Sequence, residues 1–172
     1  MKILGVDPGL AALGYGLLAS DGPRLTLVVH GVLRTKRRHD LAIGRDLALR
    51  IGELARAFEK VLDEHRPDEA AIEEFRFYGK SVTSSLQVAN VVGMLREALR
   101  ARAIPAAEYS AQAIKRAVTG RANADKALVQ RFVKLHLAMA EVPRSEHASD
   151  ALAAAITHVQ RSRLARTTER SS

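Results

Sequence analysis

Residues 2–34 read KILGVDPGLAALGYGLLASDGPRLTLVVHGVLR. Three apolar stretches, 2–7, 13–19 and 24–34, are punctuated by Gly9, Gly14 and the Asp21-Gly22-Pro23 turn. That rhythm predicts three strands in an antiparallel meander. Side chains alternate between the faces of a strand, so Ile3, Gly5 and Asp7 share one face and Asp7 projects at the strand's end. Taken alone, Asp7-Pro8-Gly9 is also a plain turn sequence. The glycines at positions 5, 9, 14 and 16 are expected to keep this neighbourhood open to a bulky ligand.

Beyond the meander, helices and strands alternate. Asp40 opens a helical pattern ending near His65, with Leu47, Ile51, Leu54, Phe58 and Val61 along one face. Arg66-Pro67-Asp68 stops it, and 69–74 reads as a short buried strand followed by the polar and aromatic loop 75–81. A helix over about 82–102 and a short strand at 106–109 come next. Ser110 caps a helix that Gly120 ends, and Asn123 caps another reaching about Ala140. A last helix starts after Pro143-Arg144-Ser145 and runs to roughly Arg161. The pattern is that of an α/β protein with a mixed sheet, whose functional groups gather at strand ends and helix N-termini.

At 172 residues the chain makes one domain with a single core. It has no cysteine, which excludes disulfides, zinc–thiolate sites and thiol nucleophiles. No apolar run approaches the roughly 20 residues of a membrane span, and Asp7 interrupts the N-terminal run before a signal-peptide core can form. No membrane association and a cytoplasmic location are therefore expected. The formal charge is +8, from 27 basic and 19 acidic residues, and 20 of the basic residues are Arg. Such a surface suits a polyanion such as nucleic acid, although an Ala- and Arg-rich chain also arises from a GC-rich genome.

Against that basic background four polar residues are pushed together. Asp7 and Glu73 each end an apolar strand, and His147 and Asp150 lie three apart at the start of an Ala/Leu-rich helix. Glu73 and Glu74 are neighbours, so they point to opposite faces. His147, Asp150, Ala151, Ala154 and His158 share a helical stripe whose alanines permit close approach to a sheet. Clustered carboxylates repel unless a divalent cation neutralises them. Individually, His147 and Asp150 are also ordinary solvated first-turn residues.

The segments Ile3-Leu4-Gly5-Val6-Asp7-Pro8-Gly9 with Gly14-Tyr15-Gly16, Ala71-Ile72-Glu73, Tyr109-Ser110 through Gly120, Asn123-Ala124-Asp125-Lys126 and Asp150 through His158 resemble the RuvC-type Holliday junction resolvases. They do so in order and with suitable spacing over about residues 2–160. The resemblance implies a ribonuclease H-like fold over residues 1–161, with a five-stranded mixed sheet (three antiparallel strands, then two parallel) flanked by helices. Residues 162–172 are expected to form a basic, disordered tail. Asp7, Glu73, His147 and Asp150 become the catalytic and metal-binding set, Glu73 taking the family's glutamate position. The expected cofactor is Mg²⁺ or Mn²⁺, about two ions per site with Asp7 shared. Many relatives carry an acid where this chain has His147, and an imidazole there favours Mn²⁺. His147 as general base is the other reading. The implied reaction is a pair of symmetric nicks in a four-way DNA junction, leaving 5′-phosphate and 3′-hydroxyl ends, in recombination and repair.

Phe77 and Tyr78 stand in a polar loop with Lys80, where rings can stack on bases opened at a junction. The alternative is a ring tucked into the core as an anchor. Lys115 and Lys126 match basic positions of the family and are expected on phosphate. The helix at 82–102 is apolar on two sides, so it is either buried or an oligomer contact. With the near two-fold symmetry of a four-way junction, a homodimer is expected. Family analogy adds a branch-migration complex of the RuvA and RuvB type as a partner. Competing readings are a ribonuclease H-like nuclease on another nucleic acid, a non-catalytic structure-specific DNA-binding module, and a sugar-kinase or actin-like phosphate loop. The last needs a second phosphate loop in a duplicated domain, which 172 residues do not hold.

Overall fold

The computed structural model describes residues 1–22, 24–75 and 82–169, the last six by backbone alone. The elements are β1 (Lys2–Asp7), β2 (Ala12–Asp21), β3 (Arg24–Arg34), α1 (Ile43–His65), β4 (Glu69–Glu73), α2 (Val82–Arg100), β5 (Ala106–Tyr109), α3 (Ala111–Thr119), α4 (Lys126–His136) and α5 (Glu146–Glu169). The sheet order is β3-β2-β1-β4-β5. The first three strands pair antiparallel, and β4 and β5 join β1 in parallel. This is the expected five-stranded mixed sheet.

Alternation along the strands divides the apolar residues into two cores. Ile3, Leu18 and Ala71 pack under α3, α4 and α5, against Ile114, Val133, Leu152 and Ile156. Leu4, Val6, Leu17, Ala70 and Ile72 face α1 and α2, against Leu54, Phe58, Leu95 and Leu99. Every residue of α5 from 151 to 159 is buried, because the helix is sandwiched between the sheet and α3 and α4.

The glycines serve a different purpose from the one expected. A Cβ on Gly5 would lie 1.8 Å from the Ala151 carbonyl oxygen, and one on Gly14 would lie 2.0 Å from that of His147. They are the floor on which α5 rests, so the space is filled by the helix backbone and not by a ligand. That contact lowers the first turn of α5 onto the end of β1.

Several boundaries also differ. α1 begins at Ile43, with Ala42 at the N-cap and no side-chain cap. Asp40 lies in the preceding turn because Asp46 accepts the Arg38 backbone N–H at 2.9 Å and folds the chain back on the helix. α2 ends at Arg100, where Ala101, Arg102 and Ala103 form a turn with Ala103 in the left-handed region at φ 53°. The cap of α4 is Asp125, not Asn123, and accepts the Leu128 N–H at 2.7 Å. That helix stops at His136, where the chain turns through Ala138 at φ 48°. α5 continues past Arg161 to Glu169, since no Gly or Pro interrupts residues 161–169. Ser110 and Gly120 cap α3 as expected, Ser110 accepting from Ala113 at 3.3 Å.

Candidate active site

Asp7 ends β1 opposite Gly14, and Glu73 ends the parallel neighbour β4 one step beyond the Val6–Ile72 pair. Their side chains share the face covered by α5, beyond the Gly5–Ala71 pair, over which the Ala151 carbonyl of that helix lies. The α5 N-terminus hangs directly over this point. His147 Nδ1 donates to Asp7 Oδ2 at 2.7 Å. Asp150, one turn further, lies close enough to Asp7 and Glu73 for their charges to oppose one another. The fold thus brings together all four residues singled out in the sequence, and parity along β4 selects Glu73.

The electrostatics are adverse. Burial, followed by the charges of Asp7 and Asp150, pushes the Glu73 carboxyl up to about 7. Burial and the Asp7 charge push Asp150 up to about 6. Burial also raises Asp7, against the opposing pull of the His147 hydrogen bond and of Lys126. All three carboxyls are raised by burial, and Glu73 and Asp150 also by neighbouring acids, so the cluster favours positive charge. Lys126, in the first turn of α4, is the cation all three carboxylates feel, and its Nζ is held by Glu146 at 2.8 Å. Lys115 on α3 reaches Glu73 electrostatically. Glu146 was not singled out in the sequence, where it reads as one more first-turn acid.

His158, on the same stripe as His147 and Asp150, belongs to a separate network. Its Nε2 donates to Glu69 Oε2 at 2.5 Å, and the Tyr109 hydroxyl donates to Nδ1 at 2.8 Å. Phe77, Tyr78 and Lys80 lie outside the described residues. Phe75, just before them, is half-buried.

The donor set of three carboxylates and an imidazole, left short of positive charge, suits a hard or borderline divalent cation. Among the described residues no three such side chains already converge as a closed ligand cage. Asp7 gives one oxygen to His147 and retains the other.

Comparison with known proteins agrees with this architecture. The family model for crossover junction endodeoxyribonuclease RuvC matches residues 3–158. The crossover junction endodeoxyribonuclease RuvC of Chloroflexus aggregans is 40% identical over 158 residues, covering 92% of this chain and 92% of that protein. The Thermus thermophilus RuvC structure superposes with a TM-score of 0.84 at 28% identity, covering 96% of this chain and 97% of that one. The same Thermus protein in complex with a Holliday junction substrate gives a TM-score of 0.83 at 27% identity, with 95% and 96% covered.

Proposed function

This chain belongs to the RuvC family of crossover junction endodeoxyribonucleases, so it is a metal-dependent endonuclease that resolves four-way DNA junctions, and we propose that Asp7, Glu73, His147 and Asp150 carry the reaction. The observation behind the assignment is the convergence of Asp7, Glu73 and Asp150 at one strand-end cleft under the α5 N-terminus, where burial and the charges of Asp7 and Asp150 push Glu73 to about 7. Asp7, Glu73 and Asp150 offer enough carboxylate oxygens for two ions of Mg²⁺ or Mn²⁺, with Asp7 between the others. When bound, such ions neutralise the cluster and the scissile phosphate and polarise the P–O bond.

The remaining work falls to the protein. His147 Nδ1 is committed to Asp7, which fixes the ring and leaves Nε2 free on a side chain that is 46% exposed. Nε2 is placed to take a proton from the water that attacks phosphorus. The P–O3′ bond breaks, the 3′ oxygen takes a proton from solvent water to end as a hydroxyl, and the 5′ end keeps the phosphate. Lys126 exchanges Glu146 for a DNA phosphate, and Lys115 holds a neighbouring phosphate. Phe77, Tyr78 and Lys80 take the bases and backbone at the crossover.

α2 buries Val91, Val92, Leu95 and Leu99 but leaves Val82, Leu86, Ala89 and Gly93 exposed at 4,3,4 spacing. A second copy seated on that stripe makes a C2 dimer with one cleft per cut strand. A branch-migration complex of the RuvA and RuvB type and a cytoplasmic setting rest on the family alone.

The test is a synthetic four-way junction incubated with Mg²⁺ or Mn²⁺ beside linear duplex and an RNA–DNA hybrid. Paired nicks confined to the junction are expected, with ends that a ligase seals. Equal cutting of the hybrid would favour a general ribonuclease H-like nuclease.

A further inference from the structure

We infer that the β3–α1 connection is a second phosphate-binding surface, which grips the backbone of a DNA arm on the side of the cleft opposite Lys115 and Lys126. The inference rests on the resolvase reading and adds a contact to it. Arg34 pairs with Ala12 at the start of β2, so the connection leaves the sheet at the same end as Asp7. Arg34 stands two strands from Asp7, roughly 10 Å at about 4.8 Å per strand. Lys36, Arg37 and His39 follow on the connection, and Arg45 lies in the first turn of α1. All are exposed. None has a side-chain partner among the described residues, unlike Lys126, which Glu146 holds.

The segment is also built to stay in place. The Thr35 hydroxyl, buried beneath it, donates to the Leu10 carbonyl at 2.6 Å and accepts from Arg50 Nε at 2.9 Å. Asp46 holds the Arg38 N–H, and Arg38 itself pairs with Glu53. The buried polar groups thus hold the backbone, while the unpaired cations face solvent. A chain of this charge with free cations beside its cleft attracts phosphate, and a pre-ordered segment loses less entropy on binding. The connection is tied to Leu10, three residues after Asp7, so an arm held there is held in register with the cut.

The experiment compares Lys36→Ala/Arg37→Ala with Arg56→Ala/Lys60→Ala, a control that removes the same charge from exposed positions further along α1. Junction affinity is measured across a salt series with Ca²⁺ or no metal, and cleavage at saturating enzyme with Mg²⁺. The first pair should lower the slope of log affinity against log salt by about 1.8, at roughly 0.9 per lost phosphate contact, with the melting temperature unchanged. The control should keep the wild-type slope. Lys36→Arg/Arg37→Lys should retain it too. Equal slopes for wild type and the first pair, or an equal fall in the control, would overturn the inference while wild-type junction cutting still upholds the resolvase reading. A wild-type protein that neither binds nor cuts a junction would remove both.

Discussion

Two clusters of charge lie at the same end of this sheet, and their carboxylates behave in opposite ways. Asp46 is buried beside Arg50, and its carboxyl is held below the usual range, first by the Arg38 backbone N–H and then by Arg50 and Arg38. Glu73, Asp150 and Asp7 are pushed above that range by burial and, for the first two, by neighbouring acids. Asp46 is neutralised from within the fold and serves the fold. The other three favour positive charge from outside, which supports the proposal that they form the working site. The contrast is between a satisfied network and an unsatisfied one, and each can be broken separately.

The largest expected effect is on catalysis. Asp7→Asn removes a carboxylate from the centre of the unsatisfied cluster, so metal-dependent cleavage should fall by far more than tenfold, beyond about 1.4 kcal/mol of transition-state stabilisation. Junction binding should be retained or tightened, because a repulsive charge next to phosphate is gone. More than about a tenth of wild-type turnover would dissociate Asp7 from the metal-binding role.

Arg50→Ala should act on folding. It removes the buried cation beside Asp46 and one partner of the Thr35 hydroxyl, leaving them the Arg38 N–H and the Leu10 carbonyl, and the melting temperature should drop on the order of 10 °C, a size typical of a broken buried pair in a chain this long. Divalent metal should not restore it, since the deficit lies outside the cleft. Full rescue by Mg²⁺ would show that the two clusters are not independent.

The acidic cluster makes the metal-free protein sensitive to pH in a defined direction. Glu73, raised from 4.5 to about 7, and Asp150, raised from 3.8 to about 6, keep their protons in the folded state at pH values where the unfolded chain has lost them. Their contribution to stability is therefore full below about pH 4 and is lost as pH rises through about 6 to 7. At about 1.36 kcal/mol per pH unit the Glu73 shift exceeds about 3 kcal/mol, and its partial exposure reduces this to roughly 1–2 kcal/mol. Glu73→Gln should stabilise the metal-free protein by that amount at pH 8, read by chemical denaturation. Mg²⁺ should stabilise wild type more than the variant. A wild-type protein equally stable at pH 5 and pH 8 without metal would contradict this.

The contrast also explains what could be read before folding. Alternation places Asp7 at a strand's end and helical spacing places His147 and Asp150 on one stripe, but the choice of Glu73 over Glu74 and the joining of the four into one site rest on the family resemblance. The fold class followed from the meander and from the helices and strands alternating after it. The Asp46–Arg50 pair was not legible, because an acid and a base four apart on a helix normally form a solvated face. Only the fold-back of the chain at Arg38 buries it. For the same reason the start of α1 was misplaced at Asp40. The glycines at positions 5 and 14 were visible, but whether a ligand or a helix fills the space above them depends on residues more than 130 positions away.

Ser149 supplies a third case that sharpens the comparison. It sits between His147 and Asp150, is fully buried, and its hydroxyl has no hydrogen-bond partner among the described residues. Asp46 has a partner inside and the acids are proposed to take one from outside, but this buried hydroxyl has neither among the described residues. A buried hydroxyl without a partner carries its desolvation cost unrelieved, so Ser149→Ala should stabilise the protein by up to about 1 kcal/mol and leave junction cleavage at the wild-type rate. Alanine also has the better helix propensity, which acts in the same direction. The measurement is a denaturation midpoint together with single-turnover cleavage. If cleavage falls while stability rises, the hydroxyl has been held unsatisfied for the site's benefit, and Ser149 moves from the side of the fold to the side of the cleft.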